Sequence, residues 1–229
     1  FVYLLIRERM AFVKVHFSDL SLVFKKSMPF FVARVSVVTN NQLGKIVAGA
    51  VLGMTHVAVL DIALKICNFA FMPLRMIGQA AFPHNSHKKD RVFATRLFAV
   101  AILATLCVIV FVYVFAPFIV TYFAKGQLDE AIGVSRLLCI YILLGGCTIY
   151  MGASLLIAWG HSKEFNDSII VSTIGLVILY ALAWFGEASS VYCFAWIMIT
   201  AEFIIFVYRL YYCLKYRIFS LTYGEPQCI

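Results

Sequence analysis

Charge is scarce in this sequence. Asp, Glu, Lys and Arg together make up 13% of the 229 residues, where a soluble domain carries about a quarter. So few charged groups cannot cover a water-facing surface. A hydrophobic content of 63% and a mean hydropathy of +0.95 complete the exclusion of a soluble globular domain. Acidic residues are rarer still, 11 against 19 lysines and arginines, for a formal charge of +8. In a soluble chain that balance would suggest nucleic acid. Here the basic residues cluster between apolar runs, where cytoplasmic anchoring explains them, and nucleic acid is not expected as a partner.

The usual signs of chemistry are also missing. The seven cysteines (Cys67, Cys107, Cys139, Cys147, Cys193, Cys213 and Cys228) stand singly with no CxxC spacing, and read as small buried hydrophobes. No Ser/His/Asp set, no pair of carboxylates in one pocket and no glycine-rich phosphate loop is present. Asp129 and Glu130 read as a cap at the start of a helix. His84 and His87 sit in a basic segment and read as solvated rather than metal-binding. The expectation is therefore a protein that is not an enzyme, with no cofactor and no metal.

What is present is a series of long apolar runs, near 27–52, 57–81, 92–123, 132–159, 168–185 and 190–213. A spanning helix needs about 20 mostly apolar residues to cross roughly 30 Å of hydrocarbon. The runs reach that length and lack the period-two alternation of barrel strands. The fold class expected is an all-α membrane protein, a six-transmembrane-helix lobe forming a helical bundle in the lipid bilayer. Phe1 to Ile6 reads as the end of an apolar segment, so the chain is expected to be the C-terminal half of a longer protein. Residues 1–26 are expected to be the end of a preceding helix plus a cytoplasmic or interfacial connector. Within it, 8–26 reads either as an amphipathic stretch, with Ala11, Phe12, Val15 and Leu20 or Leu22 toward lipid, or as a plain loop. The lobe then occupies 27–214 and a cytoplasmic tail 215–229.

Loop charges set an orientation. Arg7, Arg9, Lys14, Lys25 and Lys26 precede the first run, and Lys88, Lys89, Arg91 and Arg96 separate the second from the third. Lys163 follows the fourth, while Arg209, Lys215 and Arg217 close the last. The alternate loops carry only Lys125 as a clear cation, beside Asp129 and Glu130, and the last of them holds Glu187. Every second loop is basic, which places both ends of the segment in the cytoplasm. Arg136, at the outer start of the fourth run, reads as an interfacial anchor.

Charges inside the runs carry the most information, because each costs at least ~2.5 to 3.5 kcal/mol near the bilayer centre. In the first run Arg34, Asn41 and Lys45 are spaced by seven and four residues, within roughly 20° of one line on a helix. In the second, Asp61, Lys65, Asn68, Met72, Arg75 and Gln79 follow spacings of four, three, four, three and four, again one helical face. The two helices are antiparallel, with a turn at 53–56. Arg34 and Arg75 are then expected toward the cytoplasmic side, and Lys45, Asp61 and Lys65 toward the outer side. Asp61 and Lys65 suit an i,i+4 ion pair, leaving Arg34, Lys45 and Arg75 without an acidic partner on these helices. Two readings stand. The heads snorkel to lipid phosphates, or they line a wet cavity that attracts an anion such as a phosphate-bearing lipid head or an acidic sugar. Glu202, near the middle of the last run, reads either as a proton- or cation-coupling group or as a structural partner of an arginine.

The stretch SMPFFVARVSVVTNNQLGKIVAGAVLG from Ser27, and DIALKICNFAFMPLRMIGQAAFPHNSHKK from Asp61, resemble the lipid-linked oligosaccharide flippases of the polysaccharide-export (O-antigen transporter) family. The matched positions are Pro29, Arg34, Thr39, Asn40, Gly49 and Gly53 in the first helix, and Pro73, Ile77, Gln79, Ala80, Phe82 and Pro83 in the second. Two helices match by motif. The other four match by hydrophobic layout, including Gly145-Gly146 and the Ala158-Trp159-Gly160-His161 end of the fourth. The resemblance implies one of two six-helix lobes around a central cavity, in the bacterial inner membrane. It implies transport of undecaprenyl-diphosphate-linked repeat units by alternating access, with the basic positions Arg34, Lys45, Lys65 and Arg75 facing the cavity. The expected substrate site adds Asn41, Asp61 and Asn68 from the same two stripes, with Glu202 a candidate for ion coupling. The implied partners are the lipid-linked oligosaccharide, an N-terminal lobe that this chain lacks, and polysaccharide-assembly proteins. Related drug or peptidoglycan-precursor transporters, a membrane-embedded glycosyltransferase or polymerase, and a structural membrane subunit are the alternatives.

Overall fold

Continuous apolar sequence with few breaks folds as long helices, since in hydrocarbon each backbone amide must find its partner within its own segment. The computed structural model describes residues 17–123, 128–186 and 190–219, and all of its elements are helical. Expectations for residues 1–16, for Lys125 and Glu187, and for the tail from 220 onward lie outside the described residues, as does the side chain of Asn41.

Helix α1 spans Phe17–Val51, α2 Met54–Lys88 and α3 Arg91–Phe123. Two short helices follow, α4 (Leu128–Leu137) and α5 (Cys139–Ile149), and α5 passes into a π-helical segment, Tyr150–Ile157. Helix α6 covers Ser162–Phe185 and α7 Val191–Lys215. The breaks have local causes. Gly53 (φ 90°) and Gly160 (φ 93°) take backbone conformations that a Cβ disfavours, turning the chain between α1 and α2 and before α6. Asp90 caps α3, its Oδ1 accepting from the amides of Val92 (2.9 Å) and Phe93 (3.2 Å), and Ser190 caps α7 through the Tyr192 amide. Sequence spacing placed Arg96 and Lys88 in a loop. Both lie within helices, because α2 runs on to Lys88 and α3 starts at Arg91.

Among the described residues five segments are long and apolar enough to cross a membrane: Met54–Lys88, Arg91–Tyr122, Asp129–Ile157, Ser162–Phe185 and Val191–Lys215. The protein is an all-α membrane bundle. The first of the six expected spans, α1, is a 35-residue helix but is not among the five. Arg34, the run Thr39-Asn40-Asn41-Gln42 and Lys45 interrupt its apolar stretches. It also begins at Phe17, ten residues before the expected boundary, so at least part of the expected connector is helix.

The core forms where helices pack closely. The Asp129–Ile157 span is the most enclosed, with 61% of its most apolar stretch buried, against 17% for α3. The enclosed span touches α2, α3 and α7, while α1 packs on α6 and α2. Glycines permit the close approaches: Gly145 lies under the Phe71 ring of α2, and Gly146 under Thr105 of α3. Helix α3 turns Leu103, Val110, Val114 and Phe118 outward, as a helix facing lipid tails does.

Candidate functional site

Polar residues gather in two regions. At the α1–α2 end, Lys45 of α1 places its Nζ 2.5 Å from Asp61 Oδ1, and Lys65, one turn along α2, places its Nζ 2.8 Å from Asp61 Oδ2. Each carboxylate oxygen thus serves one ammonium. The i,i+4 pair expected between Asp61 and Lys65 is present. Lys45, expected to lack an acidic partner, shares the same carboxylate, because the tight turn at Gly53 brings α1 back against α2 in register. The trio carries one net positive charge. Lys45 and Asp61 are half-buried, whereas the Lys65 side chain is 74% exposed. Beside them lies a cavity of about 210 Å³ lined by Gln42, Lys45, Leu64, Cys67, Asn68 and Tyr141.

Along α2 the polar face continues. Lys65, Asn68, Met72, Arg75 and Gln79 are all exposed, and the alternating face, with Leu64, Cys67, Phe71, Leu74 and Gly78, is buried. On α1, Arg34 is exposed while Ala33, Ser36, Gly44 and Ala48 are buried. At 1.5 Å per residue, Arg34 lies about 17 Å along α1 from Lys45, and Arg75 about 21 Å along α2 from Asp61. In antiparallel helices both therefore sit toward the end away from the ion pair. Among the described residues neither has an acidic partner. Arg75 has its guanidinium carbon 5.9 Å from the Phe71 ring centroid.

The second region is interior and was misread from sequence. Arg209, taken for a flanking cation at the end of the last span, is 6% exposed. Its Nε donates to Ser168 Oγ of α6 at 3.0 Å and its Nη1 to the Thr148 carbonyl of α5 at 2.6 Å, while the guanidinium lies 4.5 Å from the Phe165 ring centroid. Thr148 also donates its hydroxyl to Glu202 Oε1. Glu202 and Arg209 are seven residues apart on α7, hence on one face, and both reach the same threonine. Space for the guanidinium comes from Gly152 in the π segment, where a Cβ would lie 2.6 Å from Arg209 Nη1 and 2.7 Å from Phe165. Asn85 of α2 donates to the Ser154 carbonyl (2.8 Å), and Ser154 donates back to Gly78 (2.8 Å), tying the π segment to α2.

Between the two regions is a cavity of about 30 Å³, room for about two waters, whose polar lining is Asn40, Tyr141, Ser172 and Glu202. Tyr141 lines this cavity and the larger one, so it stands between the ion-paired lysines and Glu202. The buried Asn40 Oδ1 has no protein partner. Arg136 lies over the Tyr113 ring at 5.0 Å. His84, expected in a solvated loop, lies instead in α2 with its ring tilted 40° against Phe93 at 3.9 Å, because α2 continues to Lys88.

Fold and polar geometry together define a helical membrane protein with an exposed basic stripe. Compared with known proteins, the chain matches no family model, no curated protein and no solved structure.

Proposed function

We propose that the chain is the C-terminal lobe of a flippase that moves undecaprenyl-diphosphate-linked oligosaccharide, an O-antigen, capsule or exopolysaccharide repeat unit, across the bacterial inner membrane by alternating access. In this reading Arg34, Lys45, Lys65 and Arg75, with Asn41 and Asn68, hold the diphosphate or acidic sugars, and Asp61 belongs to the same site as the carboxylate paired with its lysines. Glu202 couples the movement to a proton or cation, and both ends of the segment are cytoplasmic.

The observation that supports it best is the exposure of Lys65 and Arg75 on α2, a helix long and apolar enough to span a membrane. Cations against lipid tails cost several kcal/mol, so a face that keeps them calls for water, an anion or more protein in front of it. Arginine suits a phosphate ligand in particular, since its planar fork donates two parallel hydrogen bonds. The resemblance of the α1 and α2 sequences to oligosaccharide flippases points to the same ligand chemistry.

In the complete transporter, Arg34→Gln or Arg75→Gln is expected to abolish surface polysaccharide while the protein stays at its normal level in the membrane. Unchanged export in both variants would remove the basis for this function.

A further inference from the structure

The Lys45–Asp61–Lys65 trio is an unusual way to hold two lysines. Had its purpose been to hold α1 against α2, one lysine and one carboxylate would have sufficed. Instead a single carboxylate is divided between two ammonium groups, one of them 74% exposed, and the open side is a cavity with amide groups from Gln42 and Asn68. An exposed pair such as Lys65–Asp61 contributes little to stability. Its two anionic oxygens, 2.5 and 2.8 Å from two separate lysines, occupy the positions that two oxygens of a phosphate would take.

We infer that Asp61 is a resident counter-ion, occupying Lys45 and Lys65 while the site is empty and giving them up to a phosphate group of an anionic ligand. The inference rests on the proposed anion-transport reading and adds a role that the basic residues alone do not require. An arriving phosphate must displace a carboxylate already hydrogen-bonded to both lysines, so binding is weakened by an exchange. That exchange lets the ligand leave again. It also keeps Lys45, the half-buried lysine that lines the cavity, from being left uncompensated between transport events. Asp61 in this role sets affinity and release rate; the lysines supply the contacts.

The test uses the 229-residue chain in lipid nanodiscs, with inorganic pyrophosphate as the probe and titration calorimetry as the readout. Asp61→Asn keeps the side-chain shape and removes the competing charge. It is expected to bind pyrophosphate about tenfold more tightly than the unaltered chain, the gain of one charge-assisted contact no longer contested. Lys45→Gln added to Asp61→Asn is expected to cancel the gain. An Asp61→Asn affinity equal to or weaker than that of the unaltered chain overturns the inference.

Should the variant fail to fold, the unaltered chain still decides. With lysines 13C-dimethylated and the Lys45 signal assigned by Lys45→Arg, pyrophosphate is expected to shift that signal, and a signal that stays put overturns the inference. The functional reading fails separately. If Arg34→Gln and Arg75→Gln abolish export but Asp61→Asn leaves pyrophosphate affinity unchanged, the counter-ion role falls and the flippase reading stands. If export is indifferent to both arginines yet Asp61→Asn gains affinity, the reverse holds.

Discussion

Arg209 and Arg75 are the same residue type in helices of one bundle, and the protein treats them in opposite ways. Around Arg209 the fold is arranged to accept a cation: Gly152 leaves the space, Thr148 and Ser168 supply acceptors, Phe165 supplies a ring face and Glu202 a nearby carboxylate. Around Arg75 there is one ring, Phe71, with its centroid 5.9 Å from the guanidinium carbon, and an exposed helix face. A charge enclosed with its hydrogen bonds made is explained by the fold that encloses it. A charge left exposed on an apolar helix is explained only by something outside the described residues. The comparison thus separates a charge that builds the bundle from charges available for a ligand.

The sharpest way to break this contrast is at Arg209. Arg209→Leu leaves the Thr148 carbonyl and Ser168 hydroxyl without their donor and Glu202 without the neighbouring cation. Removing one partner from a buried charged network costs about 3 to 5 kcal/mol. The variant is expected to lose most of its thermal stability in detergent, read as a fall in melting temperature or in yield of monodisperse protein. A melting temperature unchanged from the parent would mean that Arg209 is not structural.

A smaller effect is expected one contact away. Gly152→Ala puts a methyl group 2.6 Å from Arg209 Nη1 and 2.7 Å from the Phe165 ring, and both neighbours are held by packing. Overpacking of that kind costs about 1 to 3 kcal/mol. Combined with Arg209→Leu, which removes one of the two clashing groups, the alanine is expected to add less than it does alone. Such non-additivity would place the two residues in one unit. Full additivity would separate them.

Much of the α2 surface was legible from sequence because helical spacing repeats five times between Asp61 and Gln79, and a long regular signal survives errors at its ends. The Asp61–Lys65 pair was legible for the same reason. Lys45 was not assigned its acidic partner, since that contact is made between helices and depends on the register set by the Gly53 turn. Arg209 was misread because a cation six residues from a helix end looks like an anchor unless its partners are known, and those partners come from α5 and α6. Its i,i+7 relation to Glu202 was the one available signal. The π segment left no pattern of its own, because a shift from i→i−4 to i→i−5 bonding alters which backbone groups pair and leaves apolar periodicity nearly untouched. The clustered glycines at 145, 146 and 152 mark where helices approach closely, but not that the ladder changes there. Helix α1 carries less of the apolar signal. Its apolar flanks suggest a span, and the polar residues among them, the stripe of Arg34, Asn41 and Lys45 included, set it apart from the five more apolar segments.

The least effect on stability is expected where the largest effect on transport is proposed. Arg34→Gln and Arg75→Gln remove exposed side chains that make no ion pair with any described residue, and Gln retains much of the stem that covers neighbouring apolar surface. Substitutions of this kind stay within about 0.5 kcal/mol of the parent. The double variant should therefore melt within a few degrees of the unaltered chain under conditions in which Arg209→Leu shows a large fall in melting temperature. A double variant as unstable as Arg209→Leu would show that the exposed arginines are held by contacts that build the protein, and the division between structural and available charge would collapse. A stable double variant makes any loss of export attributable to the missing guanidinium groups, because the bundle that presented them is still folded.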